Sequence, residues 1–362
     1  MQNISKCLLL TLVVFASCHS QQGAGIKESS LVETTDTLSF PLEKGTNLFI
    51  NSMQVYTDDS GKEYLAFRDG YTRPRIFVYE IDNAFAPVRK ITFDQEGLNG
   101  TGAVSLGFFI RSWDEIYIPN HNIPEISVVD SSGTKKRTYQ LAESSSDKIV
   151  CTTSLIQRPF IICNGKLFAE QKKNVFNKEN FMTSPVSIIV DLDNGTFTPS
   201  PFTYQTHHSL PSEKITKSSY NNFCASCYNE ERSEIVYAFW LDEHLYKYDI
   251  ETQKVTKKKV SSRYIPDDES LDPAKRLDSQ ENDFKEMCEI PFYKFIYYDK
   301  YRKVYYRFAL PATTCEDNVA FVDFFQAGRN TSSIMVLDED LNILGETLLP
   351  ENRFNTTMLF IN

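Results

Sequence analysis

The chain has 362 residues, with 48 acidic against 38 basic side chains and a formal charge of −10. So acidic a surface repels a phosphate backbone and argues against nucleic acid as a partner. Phenylalanine (26) and tyrosine (19) are abundant, which suits pleated, half-buried surfaces better than an all-helical fold.

The first eighteen residues have a charged, apolar, small order: Lys6 carries the charge, Cys7–Phe15 is apolar, and Ala16-Ser17-Cys18 closes the segment. That is the pattern of a secretory signal, and its apolar run is shorter than the ~20 residues that span a bilayer. It resembles the signal of bacterial lipoproteins, in which a cysteine after two small residues is lipidated and becomes the new N-terminus. Phe15 stands where that signal usually has leucine. The expectation is a signal peptide over 1–17, a lipid (palmitate included) on Cys18, a polar flexible tether over 18–37, and one domain over 38–362. Removing 1–17 leaves 37 basic against 48 acidic residues, a charge of −11. The membrane would be reached through lipid only, where several chains hold far better than one. The location implied is the cell envelope, at the outer membrane.

From Leu38 onward the chain reads as strand after strand. One unit recurs: an apolar, often aromatic strand that ends in Asp, then a polar turn, then another strand. Its instances are Ile76–Asp82, Ile126–Asp130, Val186–Asp191, Leu245–Asp249 and Ile334–Asp338, starting about 50 to 60 residues apart with a wider gap before the last. Hairpins precede most of them: Met53–Arg68, Val104–Ile118, Phe223–Trp240 and Phe292–Phe308. Leu271–Met287 is the one stretch with a helical period. Four strands per unit at this period is the signature of a β-propeller, whose blades bury both faces only by stacking on neighbours. The fold expected is all-β, a propeller of six four-stranded blades, with five or seven open. Leu38–Leu42 and Thr357–Ile361 would form the closing blade from both termini. A pair of β-sandwiches is the competing architecture.

The lipidation signal, the length and the repeated strand ending in two apolar residues and Asp together resemble a family of bacterial lipoproteins, domain-of-unknown-function family 4221. That resemblance implies a propeller related to the TolB type. It implies no activity, and no residue role is carried over from it.

Six cysteines follow Cys18, and the space beyond the inner membrane permits disulfides. Ile149–Ser154 and Phe160–Asn164 read as two strands around a turn near Gln157-Arg158-Pro159, with Cys151 and Cys163 symmetric about Gln157. Strands extended from Asp299–Arg302 bring Cys288 near Cys315. Opposed strand residues have Cβ atoms ~5 Å apart, close to bridging distance, so Cys151–Cys163 and Cys288–Cys315 are the expected disulfides. Cys224-Ala225-Ser226-Cys227 falls inside a strand, where residues three apart face opposite ways. It reads as structural and not as a redox or zinc pair.

In a propeller the first-to-second and third-to-fourth strand turns share one face. Here those turns are tight, whereas the other face carries long connections such as Asp69–Pro74, Asn120–Pro124, Lys172–Pro185, Pro201–Ser219, Ser261–Asp283 and Pro311–Ser332. Loops carry function more often than scaffolds do. Arg68, Tyr71 and Arg73 surround one turn and could fork a carboxylate or sulfate group; local Asp–Arg pairing is the alternative reading. Asn120 and His121 lie on a neighbouring loop. His207 and His208 are adjacent, and their side chains diverge in an extended chain. Asp191–Gly195 and Asp338–Asn342 lack the bidentate Glu of a calcium loop and read as turns. No metal or cofactor is expected, and no nucleophile elbow, phosphate loop or zinc-protease helix is present in the sequence. The function expected is non-catalytic binding or scaffolding of an envelope protein or glycan. The alternative is a propeller enzyme acting on a polysaccharide or ester at the channel mouth.

Overall fold

The computed structural model describes residues 30–34, 38–47, 50, 52–70, 73–83, 86–141, 151–172, 185–204, 224–265, 289–314 and 328–355. Five antiparallel sheets follow one another along the chain. Blade 1 is β1 (Met53–Thr57), β2 (Glu63–Arg68), β3 (Arg75–Glu80) and β4 (Arg89–Thr92). Blade 2 is β5 (Phe109–Ser112), β6 (Glu115–Pro119), β7 (Glu125–Val129) and β8 (Lys135–Gln140). Blade 3 has five strands: β9 (Cys151–Thr153), β10 (Ile161–Cys163), β11 (Lys166–Lys172), β12 (Ser187–Asp191) and β13 (Phe197–Pro199). Blade 4 is β14 (Cys224–Asn229), β15 (Glu234–Phe239), β16 (His244–Asp249) and β17 (Val255–Lys259). Blade 5 is β18 (Phe292–Asp299), β19 (Val304–Leu310), β20 (Ser333–Leu337) and β21 (Ile343–Leu348). The first strands of neighbouring blades approach most closely, as in β14 with β18 and β1 with β5, so they line the axis of the ring.

The recurring Asp has a local cause. A carboxylate at the end of the third strand can accept N–H groups two to four residues on and so close a tight turn. Asp130 accepts from Ser132 and Thr134, Asp191 from Asp193 and Asn194, Asp249 from Thr252, and Asp338 from Asp340 and Asn342. Blade 1 departs from this rule, with a short 3-10 turn at Ile81–Asn83.

Strand side chains alternate between faces, and each blade uses the alternation to pack on both neighbours. In β3, Ile76 and Val78 join Ile116 and Ile118 of blade 2, while Phe77 and Tyr79 face the other way. In β15, Ile235, Tyr237 and Phe239 pack with blade 3, and Val236 and Ala238 with blade 5. Cys224 and Cys227 divide between the same two cores as buried thiols. Four continuous apolar cores therefore lie between blades 1 and 2, 2 and 3, 3 and 4, and 4 and 5.

The fifth junction is built differently. Among the described residues the outer faces of blades 5 and 1 form two separate clusters, and the chain ahead of β1 packs onto each. Leu31 joins the blade 5 cluster, and its N–H donates to Thr347 Oγ1 at 2.8 Å. Arg353 pairs with Glu33 at 2.7 Å. Phe40 meets Tyr79 of blade 1 edge-on, with centroids 5.5 Å apart, and the Tyr79 hydroxyl donates to the Pro41 carbonyl at 2.6 Å. The Tyr301 hydroxyl reaches Glu63 directly across the junction at 3.3 Å.

Three expectations are corrected. Among the described residues the blades number five, one of the counts left open, where six was expected. Leu38–Leu42 is not a strand of a closing blade: it carries no ladder, Leu38 and Leu42 are exposed, and only Phe40 turns inward. Nor do the two short strands carrying Cys151 and Cys163 pair with each other. Both pair with β11, Cys163 opposite Lys166 and Cys151 opposite Lys172. Six residues of strand separate those positions by ~20 Å, too far for a bridge, and Cys163 is a free thiol. Thr357–Ile361, Leu271–Met287, Cys288, Cys315 and residues 1–29 lie outside the described residues.

Candidate functional site

The strand ends keep the asymmetry read from the sequence. First-to-second turns such as 58–62, 113–114 and 300–303 are short, while 93–108, 173–186, 200–223, 260–291 and 311–332 all join strands at the opposite face. At that face the structure brings the arginine turn and the Asn120 loop onto one segment. Arg68 is buried at the end of β2; its Nε donates to the Gly70 carbonyl at 3.1 Å and its Nη1 to Ser105 Oγ at 2.7 Å. It also lies over the Phe93 ring, and burial pushes its guanidinium down to about 10. Asn120 is buried too: its Oδ1 accepts from the N–H groups of Asn122 and Ile123, and its Nδ2 donates to the Thr101 carbonyl at 3.2 Å. The His121 N–H donates to the Val104 carbonyl at 3.0 Å, and its side chain is half-buried. Arg68 and Asn120 thus fix loop shape, and Arg73 and His121 are the more accessible pair.

Arg73 belongs to a network around Asp69, whose side chain is fully buried. Asp69 accepts from the Asn47 N–H at 2.6 Å and pairs with Arg73 at 3.2 Å and with Arg75. Burial works to raise the Asp69 carboxyl, but the Asn47, Arg75 and Arg73 contacts outweigh it and hold the group below its usual range. Tyr71, His207 and His208 lie outside the described residues.

Inside the ring lies a segment that strand periodicity did not reveal. Between β9 and β10, residues 154–160 leave the blade 3 ladder and cross toward three other blades. Ser154 donates from its N–H to Leu106 and from its Oγ to Phe108, both in the approach to blade 2. Ser52, next to β1, donates to the Ser154 carbonyl at 3.2 Å. Ser226 of β14 donates its N–H to the Gln157 carbonyl at 3.0 Å. A segment touching blades 1, 2 and 4 from blade 3 lies across the axis. Gly107 permits the approach: its φ is +106°, and a Cβ there would stand 1.6 Å from the Ser154 carbonyl oxygen.

Arg158 rides on this crossing segment and pairs with Glu170 near the end of β11. Their side chains are 9 % and 11 % exposed. Thr153 Oγ1 approaches the second Glu170 oxygen at 3.4 Å. Burial disfavours the Arg158 charge, yet Glu170 outweighs that and holds the guanidinium above its ordinary value. The pair borders a narrow cleft of about 10 Å³ between blades 3 and 4, with Ser187, Cys224, Ser226 and Tyr237 also lining it. Ser187 Oγ and the Tyr237 hydroxyl are 3.1 Å apart, one from each blade. Glu170, Ser187 and Cys224 all stand at strand ends on the long-loop face.

The other buried arginines are used differently. Arg307 of blade 5 donates to the carbonyls of Asp242, Glu243 and Val260 of blade 4, with its guanidinium 3.6 Å from the Tyr293 ring centroid. Arg329 donates to the carbonyls of Leu310, Pro311 and Ile290. Arg68, Arg307 and Arg329 bolt backbone together. Arg158 is the one of the four that, among the described residues, meets a carboxylate.

The sequence matches the family described as Domain of unknown function (DUF4221) over residues 28–348. The chain belongs to this family. A DUF4221 member from Bacteroides vulgatus has a solved structure that is 25 % identical, with a TM-score of 0.73 over 89 % of this chain and 88 % of that one. A protein described as exported, from Bacteroides fragilis, is 11 % identical with a TM-score of 0.47, over 85 % of this chain and 73 % of that one. Virginiamycin B lyase from Staphylococcus aureus is 12 % identical with a TM-score of 0.39, over 85 % and 86 %. At that distance neither of the last two bears on function. No curated protein matches the sequence.

Proposed function

We propose that this DUF4221 propeller is a lipid-anchored binding or scaffold protein of the cell envelope, and that its long-loop face takes a protein or glycan partner. The observation that carries the reading is the one-sided placement of the long connections, because binding residues gather on loops held by a rigid scaffold. Arg73 and His121 with Tyr71 would touch the partner, and Arg68 and Asn120 would hold the loops that present them. Lipid on Cys18 would supply the tether, with the acidic body held off an anionic headgroup layer.

Alanine substitution of Arg73, Tyr71 and His121 together, followed by pull-down from an envelope extract, tests the face. Loss of a partner that the unaltered chain captures supports it, and equal recovery removes it. Palmitate labelling of the chain and of Cys18→Ala tests the anchor: label should enter the first and not the second.

A further inference from the structure

We infer that the junction of blades 5 and 1 is a membrane-contact surface, whose exposed apolar side chains sit in the interfacial layer of the bilayer. This rests on the lipid-anchor reading above and adds to it how the ring is oriented. Four observations carry it. First, exposed apolar groups gather here. Among the described residues nine large hydrophobic side chains are exposed, and six of them belong to the chain ahead of β1 (the strap), to β21, or to the turn that reaches across the junction: Val32, Leu38, Leu42, Ile343, Leu348 and Tyr301. Second, the strap is built to display them. Leu31 and Phe40 pack inward on blades 5 and 1, while Val32 and Leu38 stay 80 % and 64 % exposed. Third, the expected anchor lies close by. Thirteen peptide bonds lead from Cys18 to Leu31, at most ~45 Å of chain, so this junction is the part of the domain tied nearest the lipid. Fourth, the acids beside the patch are paired, Glu33 with Arg353 and Glu43 with Lys90.

The partner class follows from the chemistry. Exposed apolar groups gathered at one place mark a protein or a membrane contact. A protein partner packs closely around buried anchors, whereas a fluid lipid layer takes up separate aliphatic side chains wherever they project. Val32, Leu38 and Leu42 are single aliphatic side chains spaced along a strap, which is the second case. The net charge of −10 opposes attraction to anionic headgroups, so the contact is apolar. Once the lipid is inserted, this second contact is intramolecular and needs little affinity of its own. A ring seated on this junction stands on its edge, which leaves the long-loop face open to the partner proposed above.

The test places the lipidated full chain on phosphatidylcholine vesicles whose acyl chains carry bromine, a contact quencher of tryptophan. Leu38→Trp should lose about half of its added emission. Leu98→Trp, at a position 97 % exposed in the connection between blades 1 and 2, should lose none. Val32→Ser, Leu38→Ser and Leu42→Ser together should speed transfer of the chain to fresh vesicles about tenfold, with Leu98→Ser unchanged. These side chains face solvent, so the variants keep the fold. Equal quenching at positions 38 and 98, or equal transfer rates, overturns the proposal. So does a dimer in detergent that the triple substitution dissolves, which would give the patch to a second copy. A Cys18 that takes no palmitate removes the anchor and this proposal together, whereas absent quenching on a chain that carries palmitate sinks the orientation alone.

Discussion

Four of the five blade junctions are alike, and the fifth is not. Between blades 4 and 5, Val236 and Ala238 meet Ile296, Tyr305 and Met335 in one buried cluster. Between blades 5 and 1, two clusters stay apart among the described residues, and the chain ahead of β1 packs on both, with Leu31 on one side and Phe40 on the other. Repetition builds an interface from two identical pleated faces, each strand offering every second side chain. Closure joins the first copy to the last, and here the chain ahead of β1, from Leu31 onward, contributes to that task. A ring made this way should be uniformly stiff through blades 2 to 4 and easiest to open where the strap lies.

The largest effect is expected inside the ring. Gly107→Ala forces a Cβ against the Ser154 carbonyl at a φ of +106°. It should destabilise by about 3 kcal/mol or more, from strain together with displacement of the crossing segment. Chemical denaturation measures it. The next comparison sets a fused junction against the strapped one. Ile296→Ala, fully buried between blades 4 and 5, should cost about 2–5 kcal/mol, whereas Phe40→Ala should cost about 1–2 kcal/mol from partial burial and one edge-to-face ring contact. Equal losses would erase the distinction between the junctions.

Much of this architecture was legible in the sequence, for a physical reason. The Asp at the end of each third strand acts within four residues of itself, so its spacing survives as a readable repeat at Asp130, Asp191, Asp249 and Asp338. Closure was not legible. Leu38–Leu42 looks like a strand by composition, yet its one inward side chain is an anchor, not a ladder. Arg158 and Glu170 were equally hidden: they become neighbours only because the inner strand of blade 3 breaks and β9 and β10 both pair with β11. One signal did exist in Glu170, a charge directly after the apolar run Leu167-Phe168-Ala169, where a carboxylate calls for a partner.

Smaller changes sharpen the same contrast. Tyr79→Phe removes the hydroxyl that donates to Pro41 at 2.6 Å and should cost about 1 kcal/mol, measured by thermal unfolding. Acid should loosen the strap ahead of the cores. The Asp69 carboxyl holds the Asn47 N–H and sits below its ordinary value, set by burial opposed and outweighed by Asn47, Arg75 and Arg73. A depressed carboxylate contributes stability that is full above its unfolded value of about 4 and fades as pH falls through the lower folded value. Limited proteolysis at pH 7 and then near pH 3 should show cleavage between residues 30 and 50 before cleavage in blades 2 to 4; simultaneous cleavage throughout would count against a weaker strap.

Residue-resolved hydrogen exchange on the full chain, before and after Phe40→Ala, reads the closure claim most directly. The account predicts lost protection in β1–β4 and β18–β21 with β11–β17 unchanged. An even loss across all five sheets, or none in blades 1 and 5, would contradict it.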